Sequence, residues 1–273
     1  ARATGKPGVA LVTSGPGATN AITGLATAYM DSTPIVVISG QVKSNLIGTD
    51  SFQETDMIGV SRPIVKHSFT VQSASEIPTI VKEAFYIATS GRPGPVVIDI
   101  PQDFNDPEYK FEFNYPTEVN MRSYNPPEGA DTSRIKEAAD LIATAKRPVI
   151  YSGGGVNQNN ASEELTALAK LLNFPVTNTL MGLGAFPGSD PQFMGMLGMH
   201  GTYQANMAMH NADLIIAVGA RFDDRITNDP SQFALSAKKI HIDVDPASVS
   251  KIIHADIPIV GSAKESLTAL IEE

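Results

Sequence analysis

Short apolar runs alternate along this chain with longer stretches in which apolar side chains return every third or fourth position, a pattern that predicts strands and amphipathic helices in turn. Residues 9–12 read as a strand, a glycine-rich turn follows, and 16–30 read as a helix. The series continues with a strand at 34–39, a short helix at 56–60, a strand at 65–71, a helix at 76–89 and a strand at 95–100. Between 101 and 129 the period is lost. Pro, Asn, Glu and aromatic residues take over, Pro107, Pro116, Pro126 and Pro127 among them, which is the composition of a surface linker. A second series follows, with helices expected at 132–145, 161–172, 203–210 and 263–271, and strands at 148–151, 175–179, 213–218, 239–244 and 257–260.

This order implies an α/β fold of parallel sheets flanked by helices, with right-handed crossovers. Two domains are expected, at 1–105 and 130–273, with a linker at 106–129. Most strands end in glycine, aspartate or a small residue, which lets a ligand approach the backbone at the carboxyl ends of the strands. Residues 1–5 read as the last turn of a helix closed by Gly5, so a longer parent chain is expected.

Composition narrows the partners. The 273 residues suffice for two ordinary domains, and an apolar fraction of 42% suits globular α/β structure. A net charge of −9 with scattered Lys and Arg argues against nucleic acid or an anionic membrane, while local arginines can still hold an anionic cofactor. The absence of cysteine excludes disulfides, thiolate metal sites and a cysteine nucleophile; it suits a reducing cytosol, and a cytoplasmic location is expected. The five histidines lack the spacing of a metal site, and no metal ligand is expected in this chain. No apolar run reaches membrane-spanning length.

Candidate chemistry concentrates in a few turns. Gly219-Ala220-Arg221-Phe222-Asp223-Asp224-Arg225 follows a strand too apolar to face water, so its charges would sit in the crevice beyond the sheet, where arginines can clamp phosphate or carboxylate groups. The alternative is a turn whose two acids neutralise its two arginines. Ser14-Gly15-Pro16-Gly17 joins a strand to a helix, as an anion-binding turn or as plain punctuation. Gly153-Gly154-Gly155 holds the analogous place in the second domain, for close approach to a ligand or for turn flexibility. Leu197-Gly198-Met199-His200-Gly201-Thr202 opens the backbone just before a helix that Thr202 can cap; its methionines are a soft surface for a flat ring or core filler. Phe52-Gln53-Glu54 lies in an irregular segment, and Arg92 precedes a proline-stiffened strand start as a phosphate contact or part of a rigid turn.

These motifs, with Gly40-Gln41, Ile47-Gly48-Thr49-Asp50, Gly91 to Pro95 and Leu180-Met181-Gly182-Leu183-Gly184, appear in the order found in acetohydroxyacid synthase catalytic subunits, also called acetolactate synthases. The chain resembles that family from end to end. The resemblance implies the later part of a thiamine pyrimidine-binding domain at 1–105 and a doubly wound, Rossmann-like central domain at 130–273 that binds FAD. It implies thiamine diphosphate and Mg2+ as cofactors, and a reaction in which pyruvate is decarboxylated and its two-carbon unit joined to pyruvate or 2-ketobutyrate for branched-chain amino acid synthesis. FAD has no net redox role in that family.

By the same resemblance, Gln53 and Phe52 line the reaction pocket and Arg225 holds the carboxylate of the second ketoacid. The implied FAD contacts are Arg92, Gly153, Gly154, Gly155, Thr179, Leu180, Met181, Leu197, Gly198, Met199, His200, Gly219, Ala220, Arg221, Asp223, Asp243, Val244 and Ser262. A homo-oligomer and a small regulatory subunit are implied as partners. The family's activating glutamate and the domain with the Mg2+ ligands fall outside these residues, so the chain alone is expected to be inactive. Ser262 stands where the family usually has aspartate, and Gln102 where lysine is common. Rival readings are another thiamine diphosphate enzyme, of the pyruvate oxidase or glyoxylate carboligase type, and a non-catalytic nucleotide-binding module.

Overall fold

A computed structural model describes every residue except Tyr109 and Glu128, and it divides into two compact units, Ala1–Pro126 and Pro127–Glu273. Part of the linker segment thus groups with the first unit. The Tyr124 hydroxyl explains this locally: it accepts from Lys66 Nζ at 2.9 Å, and its ring meets Tyr86 edge-on at 5.9 Å.

The first unit runs β1 (Gly8–Val12), α1 (Pro16–Asn20), α2 (Ile22–Met30), β2 (Ile35–Gln41), α3 (Met57–Ser61), β3 (His67–Thr70), α4 (Ile77–Thr89) and β4 (Pro95–Pro101). Its strands are parallel in the order β1-β2-β4-β3. Because successive residues of a strand face opposite ways, Val36, Val96 and Ile98 pack against Ile80, Ala84 and Ile87 of α4, while Val37 and Val97 pack against Leu25 and Met57 on the other face. The helix expected over 16–30 is two helices, separated at Ala21. Thr19 Oγ1 turns back onto the Gly15 carbonyl at 3.2 Å, a local bond that competes with continuous helix, and two glycines weaken it further.

The second unit runs α5 (Ile135–Thr144), β5 (Pro148–Ser152), α6 (Gly154–Gln158), α7 (Ser162–Leu172), β6 (Val176–Asn178), β7 (Phe193–Met196), α8 (Tyr203–Asn211), β8 (Leu214–Val218), α9 (Asp224–Thr227), β9 (Lys238–Asp243), β10 (Ile257–Val260) and α10 (Ala263–Glu272). All its strand pairs are parallel, in the order β10-β9-β8-β5-β6-β7. One face carries Ile150, Ile216 and Ile242 under α5, α7 and α10; the other carries Tyr151, Ile215 and Ala217 under α8 and the loops after β8. Three elements here were not expected from sequence. β7 has no alternation and pairs irregularly, α9 is a single turn, and α6 begins inside the glycine run. Among the described residues no helix is long and apolar enough to cross a membrane.

Candidate functional site

The strand order fixes where a crevice opens. From β5 the chain builds outward through β6 and β7, then returns to the other side of β5 with β8 and builds through β9 and β10. The connections therefore leave in opposite directions between β5 and β8, the switch point at which doubly wound sheets bind ligands beyond their carboxyl ends. The glycine run after β5 and the charged turn after β8 lie there side by side. Gly153 N donates to Val218 O at 2.9 Å and Gly155 N to Gly219 O at 3.1 Å. A Cβ on Gly153 would be driven into the Gly219 carbonyl and stand 2.8 Å from Ala220 Cα; one on Gly155 would stand 2.7 Å from Gly219 Cα. These glycines are small because two turns of the same protein touch backbone to backbone, a reason that sequence alone did not expose.

The two remaining motifs of this unit join them. A Cβ on Gly154 would meet Met181 Cβ at 3.1 Å, so the Leu180–Gly182 turn abuts the start of α6. That turn is held from below: Thr179 N donates to Ser152 O at 2.9 Å, Gly182 N to Thr179 Oγ1 at 2.9 Å, Asn178 Nδ2 to Gly182 O at 2.9 Å, and buried Ser152 Oγ to Asn178 Oδ1. On the other side Met199 N donates to Arg225 O at 2.9 Å, and the Asn206 amide clasps Gly198 through its N–H at 2.8 Å and its carbonyl at 3.0 Å. Thr202 caps α8 as expected, accepting from Ala205 N at 3.1 Å. Gly153 to Gly155, Thr179 to Met181, Leu197 to Met199 and Gly219 to Arg225 thus form one continuous rim, on which Leu180 and Met199 present exposed apolar side chains. His200 is exposed beside them.

Within the charged turn the acids do not neutralise both arginines. Asp223 Oδ1 accepts from Arg225 N at 3.1 Å and so caps α9. Arg225 Nε is only loosely near Asp224 Oδ2, at 3.7 Å between two exposed side chains, and its Nη1 lies 3.9 Å from Met199 Sδ. Arg221, half-buried, has neither hydrogen bond nor ion pair among the described residues. Ala220 and Phe222 turn inward and are buried. Beyond β9, Asp243 Oδ1 accepts from Asp245 N at 2.8 Å, Val244 is half-buried, and Gly219 N reaches Ile242 O at 2.8 Å, which ties the turn to that strand end. Ser262 precedes α10 without a side-chain cap bond, its amide donating to Gly129 O at 3.0 Å.

The first unit has its own assembled strand end. Gly15 adopts a φ of 56°, and a Cβ there would stand 2.7 Å from Gln53 O, so the Ser14–Gly17 turn and the Phe52–Glu54 loop, far apart in sequence, are packed together. Glu54 braces the loop by accepting from Gly48 N and, at 3.0 Å, from Ser51 N, and these backbone bonds hold its carboxyl below the usual range. Beneath lies Asp99, 2% exposed at the end of β4, accepting from Ser39 Oγ at 2.5 Å and Gln41 Nε2 at 3.0 Å; the same Gln41 nitrogen reaches Thr55 O at 2.7 Å. Burial pushes the Asp99 carboxyl up, against those two hydrogen bonds. Arg92 Nε donates to Ser32 Oγ at 2.8 Å, within this unit, and Gln102 is exposed just after β4.

Several of the supporting groups were missed in the sequence: Ser39, Asp99, Ser152, Asn178, Asn206 and His241. Their one legible signal was a polar residue inside or ending an otherwise apolar strand, and Asn206, on a helix, lacked even that. The donor sets suit flat cofactors. In the second unit an uncommitted guanidinium stands beside open backbone turns and soft apolar side chains, which fits an anionic cofactor with a large ring. In the first, the 88% exposed Phe52 ring and the Gln53 carboxamide, without a side-chain partner among the described residues, fit a polar heteroaromatic ring. No group of three His, Asp or Glu among the described residues could hold a metal ion.

Comparison with known proteins finds a family match in each unit. Residues 1–60 match the N-terminal TPP binding domain of thiamine pyrophosphate enzymes, and residues 135–270 match the central domain of the same enzymes. The chain belongs to the thiamine pyrophosphate enzyme family. More particularly, it is similar to acetolactate synthase large subunits: 59% identical over 272 residues to that of Buchnera aphidicola subsp. Schizaphis graminum, covering 100% of this chain and 48% of the relative. It is 56% identical over 272 residues to the isozyme 3 large subunit of Escherichia coli K12, with coverages of 100% and 47%. A probable acetolactate synthase large subunit of Methanocaldococcus jannaschii is 52% identical over 272 residues, with coverages of 99% and 46%. The chain spans about half the length of these relatives.

Proposed function

We propose that the chain is the part of an acetolactate synthase catalytic subunit comprising the end of the pyrimidine-binding domain (1–105), a linker (106–129) and an FAD-binding central domain (130–273). The observation that carries the reading is the meeting of four turns at the β5/β8 switch point beside an uncommitted Arg221. When bound, thiamine diphosphate supplies the carbon nucleophile on which pyruvate is decarboxylated. The residues of this chain orient and select. Phe52 and Gln53 face the reaction pocket, the ring offering an apolar wall and the amide a hydrogen bond that adds no charge. Arg225, exposed and only loosely paired, is free to swing onto the carboxylate of the second ketoacid and fix its approach. In the central domain Arg221 takes a phosphate of FAD, and the backbone of Gly153 to Gly155, Thr179 to Met181 and Leu197 to His200 takes the remainder, with Asp223, Asp243, Val244 and Ser262 along the same strand ends.

Mg2+ takes its ligands from outside these residues. Pyruvate and 2-ketobutyrate are the substrates, a homo-oligomer and a small regulatory subunit the partners, and the cytoplasm the location. The name large subunit, borne by the relatives, supports the second partner. Spanning half of such relatives, the chain alone is expected to form no acetolactate. The test is a titration of the chain with FAD, followed by flavin fluorescence, beside Arg221→Ala. Saturable binding weakened about tenfold by the substitution is expected for loss of a charge-assisted clamp. Binding that is absent, or indifferent to Arg221, refutes the cofactor assignment. In the parent protein, Arg225→Ala should impair use of the second ketoacid while leaving FAD affinity unchanged; equal losses of both count against its role.

A further inference from the structure

The turn that carries Arg221 and Arg225 is anchored by a side chain none of its charges reveals. In the sheet, Tyr151, Ala217 and His241 are in-register neighbours on β5, β8 and β9, and so lie in one row on one face. Ala217 is the smallest of the three, and the Phe222 ring occupies the slot: it lies 5.3 Å from the Tyr151 ring, 5.2 Å from His241 in an edge-on contact at 85°, and 6.0 Å from Phe233. To reach that slot the backbone takes φ of 57° at Gly219 and 56° at Phe222, the second a left-handed conformation that a non-glycine residue adopts only when its surroundings compensate. The compensation is burial of the ring to 2% exposure. His241 adds a direct hold, with Nε2 2.8 Å from the Ala220 carbonyl. A carbonyl only accepts, so Nε2 carries the proton.

Phe222 is buried between Arg221 and Asp223, which are half-buried and close enough for both charges to act on the buried Tyr151 hydroxyl. We propose that Phe222 and His241 are positioning residues, which lock the Gly219–Arg225 turn so that its two arginines are presented at the β5/β8 crevice. Their service to cofactor and ketoacid rests on the functional reading above; the anchoring does not.

Two measurements separate these. Trypsin cleavage after Arg225 in the ligand-free chain reads the opening of the turn, because a protease cuts the locally opened state. His241→Leu, which removes the donor, and Phe222→Leu, which removes the ring contacts, should each speed that cleavage about tenfold while the thermal melt of the chain remains cooperative. His241→Gln, which keeps an N–H for the Ala220 carbonyl, should cleave nearly as slowly as the unaltered chain. If His241→Leu does not fold, Phe222→Leu and His241→Gln carry the comparison. In the second measurement, His241→Leu should weaken FAD binding severalfold in the unaltered chain and have no further effect in an Arg221→Ala background. Unchanged cleavage in folded His241→Leu and Phe222→Leu overturns the anchor, and equal weakening in both backgrounds overturns its action through Arg221. Absence of FAD binding by the unaltered chain refutes the cofactor reading and with it the service to that cofactor, while the cleavage rates still decide the anchor.

Discussion

Gly153→Ala puts the backbone contact at the switch point to a direct test. The added methyl would be driven into the Gly219 carbonyl and stand 2.8 Å from both Ala220 Cα and Gly219 C. Ordinary carbon contacts lie near 3.5–4.0 Å, so one turn must retreat by roughly 1 Å. Neither can do so freely. Gly153 follows a strand hydrogen-bonded on both sides, and its own amide is bonded to Val218 O at 2.9 Å; Gly219 is held in turn by Ile242 O at 2.8 Å. Overpacking of this kind costs about 1–3 kcal/mol, and the upper end is expected because the obstructing atoms are backbone. With a urea slope of about 2 kcal/mol per molar, the midpoint of the second unit should fall by about 1.5 M. Gly188→Ala, exposed and no nearer than 4.0 Å to Phe193 Cε1, is the control and should leave the midpoint essentially in place. Urea titration followed by circular dichroism reads both. A Gly153→Ala midpoint indistinguishable from that of Gly188→Ala would refute the claim that these two turns interlock.

Three further outcomes follow from the same physical terms. Asp99 has a folded-state pKa raised by burial above its ordinary value of 3.8, so the stability linked to it is complete below that pH and is lost as pH rises through the folded value. Asp99→Asn, which can still accept from Gln41 and donate to Ser39, should therefore gain on the unaltered chain as pH rises; a stability difference that stays constant with pH excludes this. His241 has a folded-state pKa lowered by burial below 6.5, with Asp243 Oδ2 4.0 Å from Nε2 as the nearby carboxylate, so its linked stability is intact above pH 6.5 and lost as pH falls through the folded value. The stability gap between the unaltered chain and His241→Leu should accordingly narrow on acidification, and chemical denaturation across pH 5–8 checks it. Thr202 accepts from Ala205 N at 3.1 Å and donates to Met194 O at 2.7 Å; Thr202→Ala should cost about 1–2 kcal/mol in urea unfolding and Thr202→Ser much less, while equal losses would deny the hydroxyl its role.

Much of the fold was legible because it rests on local periodicity. The apolar runs read as strands at 95–100 and 213–218 are the buried strands Pro95–Pro101 and Leu214–Val218, Pro16 and Thr202 marked helix starts, and 257–260 was bounded as found. Those elements follow from how often apolar side chains recur and from which residues can cap or break a helix, properties that each segment carries by itself. Strand order is different in kind. That β8 returns beside β5, and so makes the crevice where it does, depends on pairings between segments more than sixty residues apart. For the same reason the glycine run looked like a choice between ligand approach and flexibility, when its nearest neighbour is Gly219. The sequence likewise showed the charges of the Arg221–Arg225 turn but not that its acids leave Arg221 unpaired, nor that Phe222 faces inward. Which way a side chain turns was decided only when Tyr151, Ala217 and His241 were brought into one row, because a slot between neighbouring strands exists in the assembled sheet and in no single segment of it.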